Sequence, residues 1–446
     1  METAAVVGAG PAGLAAGWRL AERGVAVTVF EASSEVGGRM RSDALDGATV
    51  DVAVQLLSST FRATLSLASA VGASESVVRS PGRDALWRRG RAHAVVYGSV
   101  SSMARSTALS MPLKLRLAAK YLPYLASRMR GLDANDPART GGDRWDYESI
   151  AEWGAAELGE DFVELLAYPL LATYYGTPPE RTSAPLYHAL AKVGMDVRVL
   201  AVRGGMGALP AAVAAALEAR GASVRRDVQV TRVERKGERV EVGWVDGEES
   251  FDRVVIATPA PAAAALLADD AARAWLGGVR VAPTATLALL LDRPLDADWF
   301  GLTIPRGRGP GRTIVGVCVQ ERKAKGLVPA GSGLLLALPA PTLAAELANA
   351  EPEAVADALL PALEEIFPGI GARVVRARSY PLPEGYTEFQ PGHLRHILRY
   401  DPAALPPGIA LAGDYLVAPT VEGAVRSGIQ AADHMLGSRP GRRPVR

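Results

Sequence analysis

The chain is short of several things that other classes of protein depend on. Cys318 is its one cysteine in 446 residues, so no internal disulfide can form. The N-terminus has no basic segment followed by an apolar signal core, and with the cysteine usage this gives the expectation of a cytoplasmic protein. No long apolar run is intact. The longest uncharged stretch, residues 326–345, is broken by Pro329, Pro339, Pro341 and three glycines, which makes it a poor transmembrane helix. Surplus charge is missing too: 49 basic residues face 48 acidic ones, and the overall balance gives nucleic-acid binding no support. No metal site is expected.

What is present suits a soluble globular protein, with 49% apolar and 22% charged residues. A chain of 446 residues exceeds one ordinary core and allows about two or three domains. Its charge is unevenly laid out. Residues 85–132 hold nine basic residues (Arg88, Arg89, Arg91, Arg105, Lys114, Arg116, Lys120, Arg128, Arg130) and no acid. Such a block points to an anionic group on a substrate or to an anionic lipid surface.

Ala4 to Val7 form a short apolar run that enters "GAGPAGLAAGWRLAERG", and "VAVTVFE" follows as a second strand ending at Glu31. The order is strand, glycine turn, helix, strand. Gly8 permits the tight turn, Gly10 lets the backbone approach a diphosphate, and Gly13 lets the helix pack closely on the sheet. Pro11 suits a first helical turn and Gly24 a C-terminal stop. Glu31 stands where a carboxylate can accept both adenosine ribose hydroxyls, and it would repel a 2′-phosphate, which disfavours NADP. The next segment, "EASSEVGGRMRS", sets Gly37 and Gly38 beside Arg39 and Arg41. Paired glycines expose amides, and a guanidinium adds charge-assisted bonds to phosphate.

On these residues the chain resembles the flavin-containing amine oxidoreductase superfamily, which includes monoamine oxidases, protoporphyrinogen oxidases and phytoene desaturases. The resemblance implies an α/β fold: a Rossmann-type FAD-binding domain, glutathione-reductase-like, with an interleaved α+β substrate domain. Residues 1–80, 204–281 and 396–446 would form the FAD domain. Residues 81–203, mostly helical, and 282–395, a mixed sheet, would form the substrate domain. It further implies non-covalent FAD held by Gly8, Gly10, Pro11, Ala12, Gly13, Glu31 and Ala32 in the first turn, and by Gly37, Gly38, Arg39 and Met40 in the second element. "VDVAVQLLSS" resembles the family's turn under the flavin, through Asp51, Gln55 and Leu56, although Ala53 and Val54 stand where glycines are usual. Val228 would pack on adenine. "LAGDYLVAPTVEGAVRSG" resembles the terminal element, with Gly413 and Asp414 near the ribityl chain and diphosphate. Thr420, Val421, Glu422 and Ala424 would then open a helix whose positive end stabilises charge on the reduced ring. Gly423 and Ala424 are small, as a backbone approaching that ring requires.

In the substrate half the resemblance offers Tyr168, Tyr174, Tyr175 and His188, with Gln55, as pocket residues; catalytic residues are otherwise unknown. "MPLKLRLAAKYLPYLASRMRG" reads as an amphipathic helix with Leu115, Ala118, Leu122, Leu125 and Met129 on one face and a kink at Pro123. It is read as a lid; protoporphyrinogen oxidases touch membranes through this region, so peripheral membrane contact is the other reading. Amine oxidases of the superfamily usually carry a Lys on the strand that here reads Thr284, Ala285, Thr286, Leu287, and its absence weakens the amine oxidase reading. Cys318 lies in the substrate half, far in sequence from the segment that bears the cysteinyl flavin link of monoamine oxidases. The chemistry implied is hydride transfer to FAD from a C–H bond of a bulky hydrophobic or polycyclic substrate, with carboxylates on it facing the basic block. Oxygen or another acceptor would reoxidise the flavin. An amine oxidase releasing hydrogen peroxide, and a non-redox flavin-dependent isomerase or cyclase, remain open.

Overall fold

A computed structural model describes residues 1–437 apart from Gly98, Asp143, Asp196 and Val197. Its first sheet is wholly parallel and ordered Ser223–Arg225, Ala26–Phe30, Thr3–Val7, Arg253–Ile256, Ile409–Leu411. Strands from three distant parts of the chain therefore lie side by side. The central strand is apolar at consecutive positions because both faces are covered. Ala4 and Val6 pack against the helices Pro11–Ala21, Ala208–Ala219 and Val421–Met435, while Ala5 and Val7 pack against a three-stranded antiparallel sheet spanning Val230 to Phe251.

The second sheet has seven strands, ordered Val374–Glu388, Arg280–Leu291, Gly333–Pro339, Ile314–Val319, Gly301–Thr303, Asp84–Arg88, Arg91–Val95. Leu287, Leu289 and Leu291 turn to the helix Pro352–Ile366, and Ala288 and Leu290 turn the other way, toward Leu45 and Val50. An aromatic-rich helical cluster, built mostly from residues between Ala108 and Leu190, packs on this sheet through Leu86 and Val95 and takes in Phe389, Leu394 and Ile397. Among the described residues no helix is long and apolar enough to cross a membrane.

The basic helical stretch departs from its expected register. It is two helices, Met111–Arg116 and Leu122–Arg128, joined by a π-helical turn at Leu117–Tyr121. The buried stripe is Leu113, Leu117, Tyr121 and Leu125, whereas Leu115 is 63% exposed and Ala118 is also exposed. The physical reason is Pro123, which cannot donate to the carbonyl four residues back; the turn before it widens and the apolar face shifts. The same device recurs at Val163–Ala167, ahead of Pro169.

Candidate active site

A single cavity of about 1240 Å³ runs between the two sheets, walled by the glycine turns on one side and by the substrate-sheet side chains on the other. The dinucleotide end is built by close backbone approach. Gly8 sits at φ +99°, and a Cβ on Gly13 would collide with the Gly8 carbonyl. The helix Pro11–Ala21 begins at Gly10 with no side-chain cap, and nothing lies within 4 Å of where a Gly10 side chain would be. Its first amides therefore face open space, a setting that favours an anion. The helix Val421–Met435 crosses the first one so tightly that a Cβ on Gly428 would strike the Ala12 carbonyl. Both helix starts are thereby fixed on the same cavity.

The Glu31 carboxylate is held in place by the Ala9 amide at 2.8 Å and by the Ser33 amide and hydroxyl at 3.0 and 2.7 Å. Arg39, on the turn that Gly37 (φ +113°) and Gly38 (φ +52°) allow, donates to Asp414 at 2.8 Å and to the Gly385 carbonyl at 3.3 Å. This ion pair ties the N-terminal and C-terminal elements across 375 residues. Thr258, on the cavity wall, has a buried hydroxyl with no partner among the described residues, which leaves a donor and acceptor for a ligand. Open glycine amides, an uncapped helix start, a guanidinium and an unpaired hydroxyl together fit an adenosine diphosphate carrier.

Most of the expected cofactor residues reach this wall: Gly8, Gly10, Pro11, Ala12, Glu31 and Ala32 in the first turn, then Gly38, Arg39, Arg41 and Met40. Gln55, Leu56 and Val228 also line it, as do Gly413, Asp414, Thr420, Val421 and Ala424. Gly13 and Gly37 act from behind, Gly13 under Gly8 and Gly37 against Pro210. Glu422 is a correction. Its carboxylate is fully buried but turned away from the cavity, accepting from the amides of Ala63 and Thr64 at 2.9 and 3.0 Å and from Arg426 at 2.8 Å. It caps another helix start, where an anion is favoured. Gly423 is small for a local reason, since a Cβ there would meet the Ala418 backbone.

Under the expected flavin turn lies a feature the sequence did not announce. Lys323 and Asp51, both with fully buried side chains, form an ion pair. Asp51 also accepts from the Met206 amide at 2.7 Å and from the Ser42 hydroxyl. The Gln55 amide is oriented by the same group: its oxygen takes the Gln320 amide at 3.0 Å and Lys323 at 3.4 Å, and its nitrogen donates to the Asp51 carbonyl at 2.7 Å. On the strand without a lysine, Thr286 donates to the Val52 carbonyl at 2.8 Å.

The substrate end is apolar and aromatic. Tyr174 and Tyr175 line it, with Tyr97, Tyr187 and Tyr386, which the sequence reading missed. Burial holds the phenols of Tyr175 and Tyr386 at about 12, so they stay protonated. Cys318 is on the same wall, and burial pushes its thiol up to about 12, which keeps it from acting as a thiolate. Two other expectations are corrected. Tyr168 packs against Ala172, Val315 and Leu338, with the Arg306 guanidinium 4.9 Å from its ring centre. His188 is a core residue: Tyr121 meets its Nδ1 at 3.2 Å, Trp153 stacks edge-on at 4.5 Å, and burial drives its pKa down to about 3. Of the nine cations in the basic block, Lys114 lines the cavity; Arg116 and Lys120 donate to the Leu158 and Glu157 carbonyls, and Arg128 lies over Tyr124 and Trp145.

Glycine turns facing an apolar chamber fit a flavin dinucleotide, and sequence comparison points the same way. The chain belongs to the flavin-containing amine oxidoreductase family, whose profile matches residues 11–436. That family is one of flavin-containing oxidoreductases. A protein of Mycobacterium tuberculosis (strain H37Rv) called a flavin-containing monoamine oxidase, AofH, is 29% identical over 57% of this chain and 56% of its own length. A hydroxysqualene dehydroxylase of Rhodopseudomonas palustris is 29% identical over 60% of this chain and 64% of its own. The chain thus spans less than two thirds of these relatives. Its fold is also that of a solved protein from Exiguobacterium named as a protoporphyrinogen oxidase, with TM-score 0.77 and 21% identity over 98% of this chain and 99% of that one.

Proposed function

We propose that this enzyme is an FAD-dependent oxidase or dehydrogenase that removes hydride from a C–H bond of a bulky hydrophobic or polycyclic small molecule. The observation that carries this reading is the continuity of one cavity, from the glycine turns to a wall of tyrosines, leucines and Cys318. FAD supplies the two-electron acceptor when bound. The chain's own part is to bind, orient and exclude water. Were FAD bound here, the opening amides of the helix at Val421 would set positive potential toward anionic charge on its ring. The π-turned helices at Met111–Arg128 roof the chamber through Ala118, Tyr121, Leu122 and Leu125.

A chamber with mostly apolar walls selects on shape and desolvation, which suits a large apolar body. The strand Arg280–Leu291 bears hydroxyls at Thr284 and Thr286 in place of a lysine, and this supports carbon–carbon oxidation over amine oxidation. Gln55, fixed from both sides, would keep the turn after Asp51 rigid beside a bound flavin. The test is anaerobic mixing of the FAD-loaded enzyme with a polyene, a porphyrinogen and an amine, followed by flavin absorbance. Bleaching by a polyene or porphyrinogen supports the reading. Bleaching by the amine alone, or turnover with no acceptor consumed, contradicts it.

A further inference from the structure

A buried ion pair such as Lys323–Asp51 is a weak source of stability. Two charges taken out of water lose hydration that their mutual attraction barely restores, and well-packed apolar residues in their place are often as stable. Three elements nonetheless close around this one. Asp51 ends the strand Ala48–Asp51, and Lys323 follows the turn Gln320–Arg322. Gly205, at φ +97°, leaves the carboxylate room ahead of the helix Ala208–Ala219.

The pair is also oriented. Its carboxylate turns inward, accepting from the Met206 amide at 2.7 Å and from the Ser42 hydroxyl, two residues that lie behind the cavity wall. Its ammonium is 3.4 Å from the side-chain oxygen of Gln55, which is on the wall with Ala53, Val54 and Leu56. Gln320 donates to the same oxygen at 3.0 Å and the Gln55 nitrogen donates to the Asp51 carbonyl at 2.7 Å, so the amide is held. The positive end of the pair therefore faces the cavity and the negative end faces the interior. Its charge is felt on the wall: burial pushes the Cys318 thiol up to about 12, and Lys323 acts against that rise.

We infer that Lys323 and Asp51 act as a fixed dipole that makes a flavin bound at this wall easier to reduce. Two electrons and one proton turn oxidised flavin into an anionic reduced form, so the bound ring gains one negative charge. A positive end already in place stabilises that charge without reorganisation, and the buried setting leaves it poorly screened. Both are positioning residues, since neither reaches the cavity and they act through Gln55 and their field. This inference rests on reading the glycine-turn wall as the FAD site and is independent of which substrate is oxidised.

The test is the two-electron midpoint potential of FAD bound to the full chain, measured by slow reduction with xanthine and xanthine oxidase against a reference dye. In Lys323→Met the reduced form should be disfavoured at least about tenfold, a fall of about 30 mV for a two-electron couple. Lys323→Met/Asp51→Asn leaves no orphaned charge and is the safer variant to fold; its potential should also lie below the wild type, by less. A role in packing alone would lower the melting temperature and leave the potential in place. An unshifted or raised potential in Lys323→Met, or a double variant at the wild-type potential, would overturn the inference. If Lys323→Met holds no FAD, the double variant decides by itself. A wild-type chain that takes up no FAD sinks the reading of the wall and this inference with it, whereas a loaded chain whose potential ignores the pair sinks this inference alone.

Discussion

Replacing Lys323 with Met tests the most buried polar feature beneath the site. The ion pair with Asp51 is sealed from solvent on both sides, so the substitution leaves a buried carboxylate with only the Met206 amide and the Ser42 hydroxyl. Removing one partner of such a pair costs about 3–5 kcal/mol. At about 2.1 cal/mol/K of unfolding entropy per residue, a chain of 446 residues unfolding as one unit changes by about 0.9 kcal/mol per degree. The melting temperature of the FAD-saturated variant should therefore fall by about 3–5 °C in a calorimetric scan. Adding Asp51→Asn should recover part of the loss, because the orphaned charge goes with it. Gln55 loses one of its donors, so the flavin absorbance bands should shift as well. A fall of less than about 1 °C, or a double variant as damaged as the sum of the single ones, would refute the reasoning.

Asp84, on the cavity wall and accepting from the Tyr174 hydroxyl at 2.7 Å, is tested by Asp84→Asn in stability. A raised carboxyl pKa means that ionisation opposes the fold: the penalty is absent below the usual carboxylate range, grows as pH rises toward about 6, and is complete above it. The variant should be more stable than wild type at pH 8 by about 1–3 kcal/mol, the upper figure being the full shift and the lower allowing for water in the chamber; denaturant melts at pH 4 and pH 8 check this. Arg39→Ala should weaken FAD about 10- to 100-fold by removing charge-assisted contacts and leaving Asp414 unpaired, and Arg39→Lys should restore only part of it; flavin fluorescence titration reads the constants. Gly428→Ala should destabilise the protein by about 1–3 kcal/mol through the clash with Ala12, and thermal melts should show it with and without FAD.

The cofactor half was readable because it depends on backbone geometry, and backbone geometry restricts residue choice. Gly8, Gly13 and the pair Gly37–Gly38 mark positive φ or contacts that exclude a Cβ, and Glu31 follows at the end of its strand. Where a side chain has several equally good uses, the spacing was mute. Glu422 follows the terminal turn in register, yet its carboxylate serves the helix at Arg62. His188 sits in a promising tyrosine-rich stretch, yet a ring cage of Tyr121, Tyr124 and Trp153 makes it part of the core. Asp84 gains its setting only when a strand 217 positions later pairs beside it and contributes a glycine. Lys323 is silent in the sequence because the expected lysine belongs to the strand at Thr286; this one arrives from a turn after Val319 and reaches Asp51. The amphipathic stripe at Met111–Arg128 was misphased by the π turn before Pro123, which a fixed helical period does not anticipate.

The central claim is that both ends of the chain grip one flavin without a covalent link, and the absorbance spectrum of the purified chain after incubation with FAD and desalting tests it most directly. Flavin bands near one equivalent, passing wholly into the supernatant when the protein is precipitated with acid, are the expected result. A colourless protein, or a flavin that stays with the precipitate, would contradict it.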